Sequence, residues 1–355
     1  MERAILINCF YNKYEIELNN DRIRELELLT KTAGGEVIKK FNIHLKRINP
    51  AYFLTKGKLE NISSFLSNTE ADIIIFNNEL KPVQVRNLNE YFKIKVIGRT
   101  ELILDIFSLR ARTKEAKIQV ELAQLRYLLP RLAGYGVMMS RLGGGIGTRG
   151  PGEKEIEYDR RHIMKRISVL TKKLKLIEKH RKNISKNRPF KVVSIVGYTN
   201  AGKSTLLNAL AKENLKTENR LFVTLDSTIR KIYLSNNKFI LLSDTVGFIR
   251  DIPHHLIASF KSTLSEAKEA DLLLHLIDIN DEFYTEKIEV VNNVLRSIGI
   301  DISKSIYVFN KIDKIANKGK LERIKNLYSD ALFISAKNKI NHDKLKENII
   351  FRLEI

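Results

Sequence analysis

The chain has 355 residues, of which 43% are hydrophobic and 29% charged, so it is long enough for two or three domains and is not a disordered chain. Its net charge of +21 indicates an acidic macromolecular partner, either a nucleic acid or an anionic membrane surface. The single cysteine excludes an internal disulfide and a cysteine-rich zinc site. Neither a signal-peptide pattern nor a membrane-spanning apolar run is present, so we expect a cytoplasmic protein.

The first hundred residues alternate between strand-like and helix-like segments. AILINCF, ADIIIFN and IKVIG are short apolar runs of strand length. NDRIRELELLTKTAGG and KGKLENISSFL have helical patterns, and Gly34-Gly35 is a helix stop. This alternation predicts a small α/β subdomain over residues 1–110.

The middle of the chain predicts an antiparallel helical hairpin over residues 111–187. Apolar residues recur at helical spacing in two matched seams. They are Ile118, Leu122, Leu125, Leu129, Leu132, and then Ile163, Ile167, Leu170, Leu174, Ile177. The joining segment, residues 134–153, contains eight glycines and a proline, so we expect no regular element there. Residues 101–190 carry 21 basic and 9 acidic side chains, a net charge of +12.

An apolar strand over residues 192–196 runs directly into GYTNAGKS, residues 197–204, and the helical pattern TLLNALAKEN follows. This is the order of a P-loop, in which backbone N–H groups and the amino end of a helix hold phosphate. We expect Lys203 to reach the β- and γ-phosphates and Ser204 to bind Mg²⁺. The alternative is a glycine-rich turn without a ligand.

The segment FILLSDTVGF brings a second apolar strand to Asp244, whose carboxylate is expected to bind Mg²⁺ through water. Gly247 has no side chain, so its N–H can approach the γ-phosphate. Thr224 is a candidate switch hydroxyl for Mg²⁺. Phe248 stands where Ras-like enzymes carry a water-orienting glutamine, so we expect slow hydrolysis unless a partner or another part of the chain assists. The phenyl ring could also simply pack beneath the switch, and the two interpretations are compatible.

Two later motifs select guanine. SIYVFNKID ends in Asn310, Lys311, Ile312 and Asp313, and the Asp313 carboxylate can accept hydrogen bonds from guanine N1–H and N2–H. LFISAK contains residues 335–337, where a backbone N–H can donate to guanine O6. The two motifs favour GTP over ATP and make a nucleic-acid-dependent ATPase a weaker alternative.

Together with these motifs, several further segments resemble the HflX family of GTPases. They are TKGKLE (55–60), RTELILDIF (99–107), QVELAQLRYLLPRL (119–132), SRLGGGIGTRGPGE (140–153) and FVTLD (222–226). The resemblance covers essentially the whole chain. It implies an α/β fold with a Ras-like P-loop GTPase domain over residues 188–355, preceded by the N-terminal subdomain and the hairpin. Some members carry a further C-terminal domain, and we expect its contacts to be missing from this chain.

The resemblance also implies the residues of the site. GTP or GDP is held by residues of the P-loop, both switches and the two guanine motifs. They are Gly197, Tyr198, Thr199, Asn200, Ala201, Gly202, Lys203, Ser204, Phe222, Val223, Thr224, Leu225, Asp226, Asp244, Thr245, Val246, Gly247, Asn310, Lys311, Ile312, Asp313, Ser335, Ala336 and Lys337. Lys203, Thr224 and Gly247 are the catalytic candidates, and Ser204, Thr224 and water-bridged Asp244 are the Mg²⁺ candidates.

The partner implied by the resemblance is the large ribosomal subunit with its RNA, bound by a GTP-hydrolysing switch that dissociates or rescues ribosomes. We expect no DNA partner, no membrane segment and a monomer. An RNA-binding assembly factor, with GTP as a conformational ligand, is the alternative. The basic outer face of the second hairpin helix fits RNA phosphate, although it could be only a solvated face. We expect the hairpin tip, with Met138, Met139, Arg141 and Arg149, to insert into RNA, unless the methionines belong to a core.

Overall fold

The computed structural model describes residues 1–12, 14–139, 151–185, 188–211, 221–222, 228–235, 237–253, 256, 265–315 and 317–355. The chain packs as two compact units. The first comprises residues 1–109 and 120–172, and the second comprises residues 110–119 and 173–355. None of the described helices combines the length with the low charge that crossing a bilayer requires.

The first unit is built on a four-stranded parallel sheet with strand order β2-β1-β3-β4. The sheet core includes Ile5, Ile7, Ile74 and Phe76, because the strands are apolar on both faces. The elements are β1 (Arg3–Phe10), α1 (Ile16–Thr32), β2 (Glu36–His44), α2 (Lys56–Leu66), β3 (Ile73–Phe76), α3 (Pro82–Phe92), β4 (Lys95–Gly98) and α4 (Arg99–Arg110). The predicted α/β fold of this region is confirmed.

Cys9 lies on β1 and is buried, with 4% of its surface exposed. Burial raises the pKa of its thiol to about 12, and the positive charge of Lys58 lowers it only partly. At neutral pH the side chain is therefore a protonated thiol that packs as a small apolar group.

The predicted helical hairpin consists of α5 (Lys114–Met139) and α6 (Pro151–Ser185). The seam residues Leu122, Leu170 and Leu174 are buried. Arg166 joins the two helices, because its Nε and Nη2 donate to the two carboxylate oxygens of Glu121 at 2.6 and 3.0 Å. Helix α5 also has a second buried stripe, which the seam analysis missed: Ala116, Val120, Ala123 and Tyr127.

The prediction of no regular structure from residue 134 to residue 153 is wrong at both ends. Helix α5 continues through Gly134 and Gly136 to Met139, and α6 begins at Pro151. A helical glycine costs only about 1 kcal/mol relative to alanine, and proline is favoured in the first turn. Residues 140–150, which include Arg141 and Arg149 of the predicted tip, lie outside the described residues.

The second unit contains a mixed six-stranded sheet with strand order β10-β9-β8-β5-β7-β6, in which only β6 and β7 pair in the antiparallel sense. Its elements are β5 (Val192–Gly197), α7 (Lys203–Ala211), β6 (Thr228–Tyr233), β7 (Phe239–Asp244), α8 (Ser265–Glu269), β8 (Leu272–Asp278), α9 (Tyr284–Ser297), β9 (Ser305–Asn310), α10 (Lys318–Leu327), β10 (Leu332–Phe333) and α11 (His342–Leu353). All six residues of β5 are buried, so the strand fixes the loop that follows it at the carboxyl edge of the sheet.

Candidate functional site

The loop between β5 and α7 holds Lys203 over its own backbone. Lys203 is 7% exposed, and its Nζ donates to the carbonyl oxygens of Gly197 at 3.1 Å and Tyr198 at 2.9 Å. Burial lowers the pKa of Lys203 to about 8, while the negative charge of Asp244 opposes the shift. The ammonium is therefore mainly protonated at neutral pH and presents positive charge at the amino end of α7.

Ser204 and Asp244 form a pair of oxygen donors beside this loop. The Ser204 hydroxyl donates to Asp244 Oδ2 at 2.6 Å, and Asp244 is 1% exposed at the end of β7. A hydroxyl and a carboxylate are hard oxygen ligands of the type that Mg²⁺ prefers, so the donor set fits this ion. The described residues contain no cluster of three or more His, Cys, Asp or Glu that could hold a metal. A Mg²⁺ ion here would need further oxygens from phosphate or water.

The segment after β7 lies directly against the loop. A Cβ added to Gly247 would stand 2.6 Å from Thr199 Cγ2 and 3.0 Å from Lys203 Nζ, so only glycine allows this close approach. The Thr199 N–H donates to the Phe248 carbonyl at 2.7 Å, and the Phe248 N–H donates to the Gly197 carbonyl at 3.2 Å. The Phe248 ring is 2% exposed, in agreement with the packing alternative.

Asn310 connects the phosphate end of the site to the guanine motifs. Its side-chain amide donates to the Ala201 carbonyl at 2.8 Å and accepts from the Ala336 N–H at 2.9 Å. Gly202 has φ +98°, and a Cβ there would stand 2.4 Å from Asn310 Nδ2. Lys311 Nζ donates to the Asn200 carbonyl at 2.8 Å. The strand ends of β5 and β9 are therefore joined by side chains at one edge of the sheet.

Asp278, at the carboxyl end of β8, is a residue that motif analysis missed. Its carboxylate forms a 2.7 Å ion pair with Lys311 Nζ and accepts from the Asn280 N–H at 3.1 Å. The Asn280 side chain donates in turn to the Lys311 carbonyl at 2.9 Å. The sequence signal was available, because LLLHLID is an apolar strand that ends in an aspartate, as the strand before Asp244 does.

The structure brings together the P-loop, residues 244–248 and both guanine motifs. Asp313 is exposed in the turn that follows β9, and Ser335 is buried, with its Oγ accepting from the Asn338 N–H at 3.1 Å. Phe222 is 3% exposed. Four first-switch residues lie outside the described part of the chain: Val223, Thr224, Leu225 and Asp226.

Three parts of the chain match known protein families. Residues 20–108 match the family described as GTP-binding GTPase N-terminal, and residues 110–188 match GTP-binding GTPase Middle Region. Residues 192–311, which include most of the site, match the family described as 50S ribosome-binding GTPase.

Relatives resemble the chain over nearly its whole length. GTPase HflX of Caldanaerobacter subterraneus subsp. tengcongensis is 50% identical over 352 residues, which cover 98% of this chain and 80% of the relative. GTPase HflX of Escherichia coli K12 is 39% identical over 356 residues, 99% of this chain and 83% of the relative. A crystal structure of an SsGBP and GDP complex is 29% identical, covers 100% of this chain and 99% of that one, and superposes with a TM-score of 0.54.

Proposed function

The chain belongs to the HflX family of GTPases, and from this premise we propose that it binds the large ribosomal subunit as a GTP-driven switch that dissociates or rescues ribosomes. The family binds guanine nucleotide and hydrolyses GTP, and its GTPase region matches a 50S ribosome-binding family. The observation that carries the GTP-binding part of the proposal is the linked geometry of the site, in which Asn310 and Lys311 contact the backbone of the P-loop. The ribosomal part rests on the match to the 50S ribosome-binding family. We also propose that residues 1–110, 111–187 and 188–355 act as its three functional parts.

The proposed nucleotide site uses residues 197–204 for the phosphates. The protonated Lys203 ammonium, fixed by two backbone carbonyls, would lie where the β- and γ-phosphates carry negative charge. Gly247 would offer its N–H to the γ-phosphate at the position where a Cβ would strike Thr199. Asp313 and the backbone of residues 335–337 would bind the guanine edge.

For the metal, we propose that Ser204 is a direct ligand and that Asp244 binds through water. The 2.6 Å hydrogen bond between the two side chains supports this arrangement. Mg²⁺, when bound, would neutralise charge on the β- and γ-phosphates. Residues 222–226 would form the first switch, with Thr224 as the ligand that responds to the γ-phosphate.

The proposed RNA contact is the outer face of α6. Eight basic side chains on this face are exposed: Arg160, Arg161, Lys165, Arg166, Lys172, Lys173, Lys175 and Lys179. Arg161 and Arg166 also form ion pairs with Glu157 and Glu121 at 2.8 and 2.6 Å. The other six side chains, Arg160 and the five lysines, are exposed to solvent, where they can neutralise backbone phosphates without reading base sequence.

Sedimentation of intact ribosomes tests the proposed function. The protein would be mixed with ribosomes and a non-hydrolysable GTP analogue, with GDP in a parallel sample and Lys203→Ala as the matched control variant. We expect separated subunits, with the protein on the large one, only for the unchanged chain with the GTP analogue.

Intact ribosomes that carry no protein in any sample would contradict the proposal. Nucleotide-dependent binding without separation of the subunits would instead support the alternative, in which GTP serves as a conformational ligand of an RNA-binding assembly factor.

A further inference from the structure

GTP hydrolysis requires a group that orients water, and Phe248 cannot be that group. Its phenyl ring carries no hydrogen-bonding atom and is 2% exposed. Its backbone groups already have hydrogen-bond partners, since its carbonyl accepts from the Thr199 N–H and its N–H donates to the Gly197 carbonyl. Another side chain on the phosphate side of the loop must therefore supply the contact, or a partner must.

The Thr199 side chain lies where the segment after β7 crosses the P-loop. Its Cγ2 is 2.6 Å from the point where a Cβ on Gly247 would stand, and Lys203 Nζ is 3.0 Å from the same point. The branched Cβ of Thr199 carries both this methyl group and the hydroxyl. Thr199 is therefore adjacent to Lys203 and Gly247, the two groups expected to contact the γ-phosphate.

The Thr199 hydroxyl also differs from the hydroxyls around it. Ser204 donates to Asp244, Thr245 donates to the Ile195 carbonyl at 2.8 Å, and the Tyr198 hydroxyl accepts from the Arg250 N–H at 2.8 Å. Thr199 is 7% exposed, yet within the described residues its Oγ1 has no hydrogen-bond partner. A buried hydroxyl without a partner is unfavourable, and a hydrogen bond to a ligand would remove that cost.

We propose that the Thr199 hydroxyl orients the attacking water in GTP hydrolysis and so replaces the missing glutamine. A threonine hydroxyl has one donor and two acceptor lone pairs, so it can accept from water and donate to a phosphate oxygen. The water oxygen bonds to the γ-phosphorus while the bond to the β–γ bridging oxygen breaks. GDP leaves with that electron pair, and the water proton ends on inorganic phosphate.

Single-turnover hydrolysis by the full chain, with protein in excess and without ribosomes, tests this role. Thr199→Val keeps the shape and the methyl contact with Gly247 but removes the hydroxyl. We expect its hydrolysis to be at least about tenfold slower, while its affinity for a fluorescent GDP analogue changes less than about threefold. Thr199→Ser, which keeps the hydroxyl, should hydrolyse GTP within about threefold of the unchanged chain.

Three outcomes would overturn the proposal. Hydrolysis by Thr199→Val at the unchanged rate would show that the hydroxyl takes no part, and equally slow Val and Ser variants would assign the effect to packing. If Thr199→Val lowers GDP affinity or thermal stability, the Ser and Ala variants give the deciding comparison, since they differ only in the hydroxyl. Equal rates for that pair would likewise reject the role. Because no ribosome is present, the result is independent of the proposed ribosomal function.

Discussion

Asp278 holds the lysine of the guanine motif in place. Its carboxylate pairs with Lys311 Nζ at 2.7 Å, and Asn280 fixes the Lys311 carbonyl from the same turn. The Lys311 side chain can therefore extend across the P-loop backbone to the Asn200 carbonyl. Asp278 is thus a positioning residue, which acts on the nucleotide site through Lys311.

Asp278→Asn should weaken the binding of GDP and GTP equally. The substitution removes a partly buried charged hydrogen bond, and we expect about tenfold lower affinity, which corresponds to about 1.4 kcal/mol. Titration with fluorescent GDP and GTP analogues measures it. Asp271→Asn, at the opposite end of the same strand, removes a 3.2 Å ion pair with Lys191 and should leave affinity unchanged. If the two variants bind GDP and GTP with equal affinity, Asp278 has no specific role in the nucleotide site.

The motif residues could be predicted from the sequence because the path of the backbone at these positions permits only certain residue types. Gly202 and Gly247 approach other groups so closely that a Cβ would collide, and Lys203 begins the helix that follows the loop. Asp278 was missed although it ends an apolar strand as Asp244 does, because its partner Lys311 lies 33 residues away and no motif links the two positions. The Thr199 hydroxyl, which has no hydrogen-bond partner in the part of the chain that the structure describes, likewise reflects packing that the sequence does not reveal.

At the scale of elements, an aromatic and lysine cluster attaches β6 to the segment that enters β5. Lys231 Nζ lies 4.3 Å from the centre of the Phe190 ring and 4.2 Å from that of Phe239. Tyr233 packs edge-on against Phe239 at 5.4 Å. Because β6 begins directly after residues 223–227, the cluster anchors the strand that follows the predicted first switch.

Lys231→Met should loosen this strand while preserving most of the side-chain length. Loss of the cation–π contacts is expected to cost about 1 kcal/mol, or about fivefold faster amide hydrogen exchange in β6. Amide hydrogen exchange of β6, measured by mass spectrometry, tests this expectation. Lys238→Met, on the same hairpin, is the control because it has no such ring contact among the described residues. Unchanged exchange in the Lys231 variant would mean that the cluster does not stabilise the strand.

The elements that sequence patterns missed are those whose burial depends on tertiary neighbours. Strand β2 has the pattern EVIKKFNIH, and most of its residues are exposed or half-buried because it lies at the edge of the sheet. The second buried stripe of α5, which includes Ala116 and Tyr127, mixes small and aromatic side chains and does not form a simple apolar seam. Strongly apolar strands such as β1 and β3 were predictable, since burial on both faces leaves a continuous signal.

At the scale of the whole molecule, the net charge of +21 should make ribosome binding strongly dependent on salt. Lys172 and Lys173 are exposed on α6, and Arg323 and Lys325 are exposed on α10. The first pair belongs to the proposed RNA face, whereas the second belongs to a helix of the GTPase domain. The two pairs carry equal charge, so they separate a specific contact from the effect of overall charge.

Changing both Lys172 and Lys173 to Gln should reduce the slope of log affinity against log salt by about 1.5. Pelleting with large subunits at several salt concentrations measures the slope. The matched change of Arg323 and Lys325 to Gln removes the same charge and should alter the slope much less. If both double variants reduce the slope by the same amount, only the net charge drives binding, and the α6 face is merely exposed to solvent.

The state of Cys9 has a practical consequence for following this protein by fluorescence. With a thiol pKa of about 12, its thiolate fraction at neutral pH is about 10⁻⁵, and the side chain is also shielded from reagents. It is the chain's only cysteine, so the unchanged protein is nearly inert to maleimide dyes. A cysteine introduced at an exposed position such as Lys173 would therefore take a single dye without any cysteine first being removed.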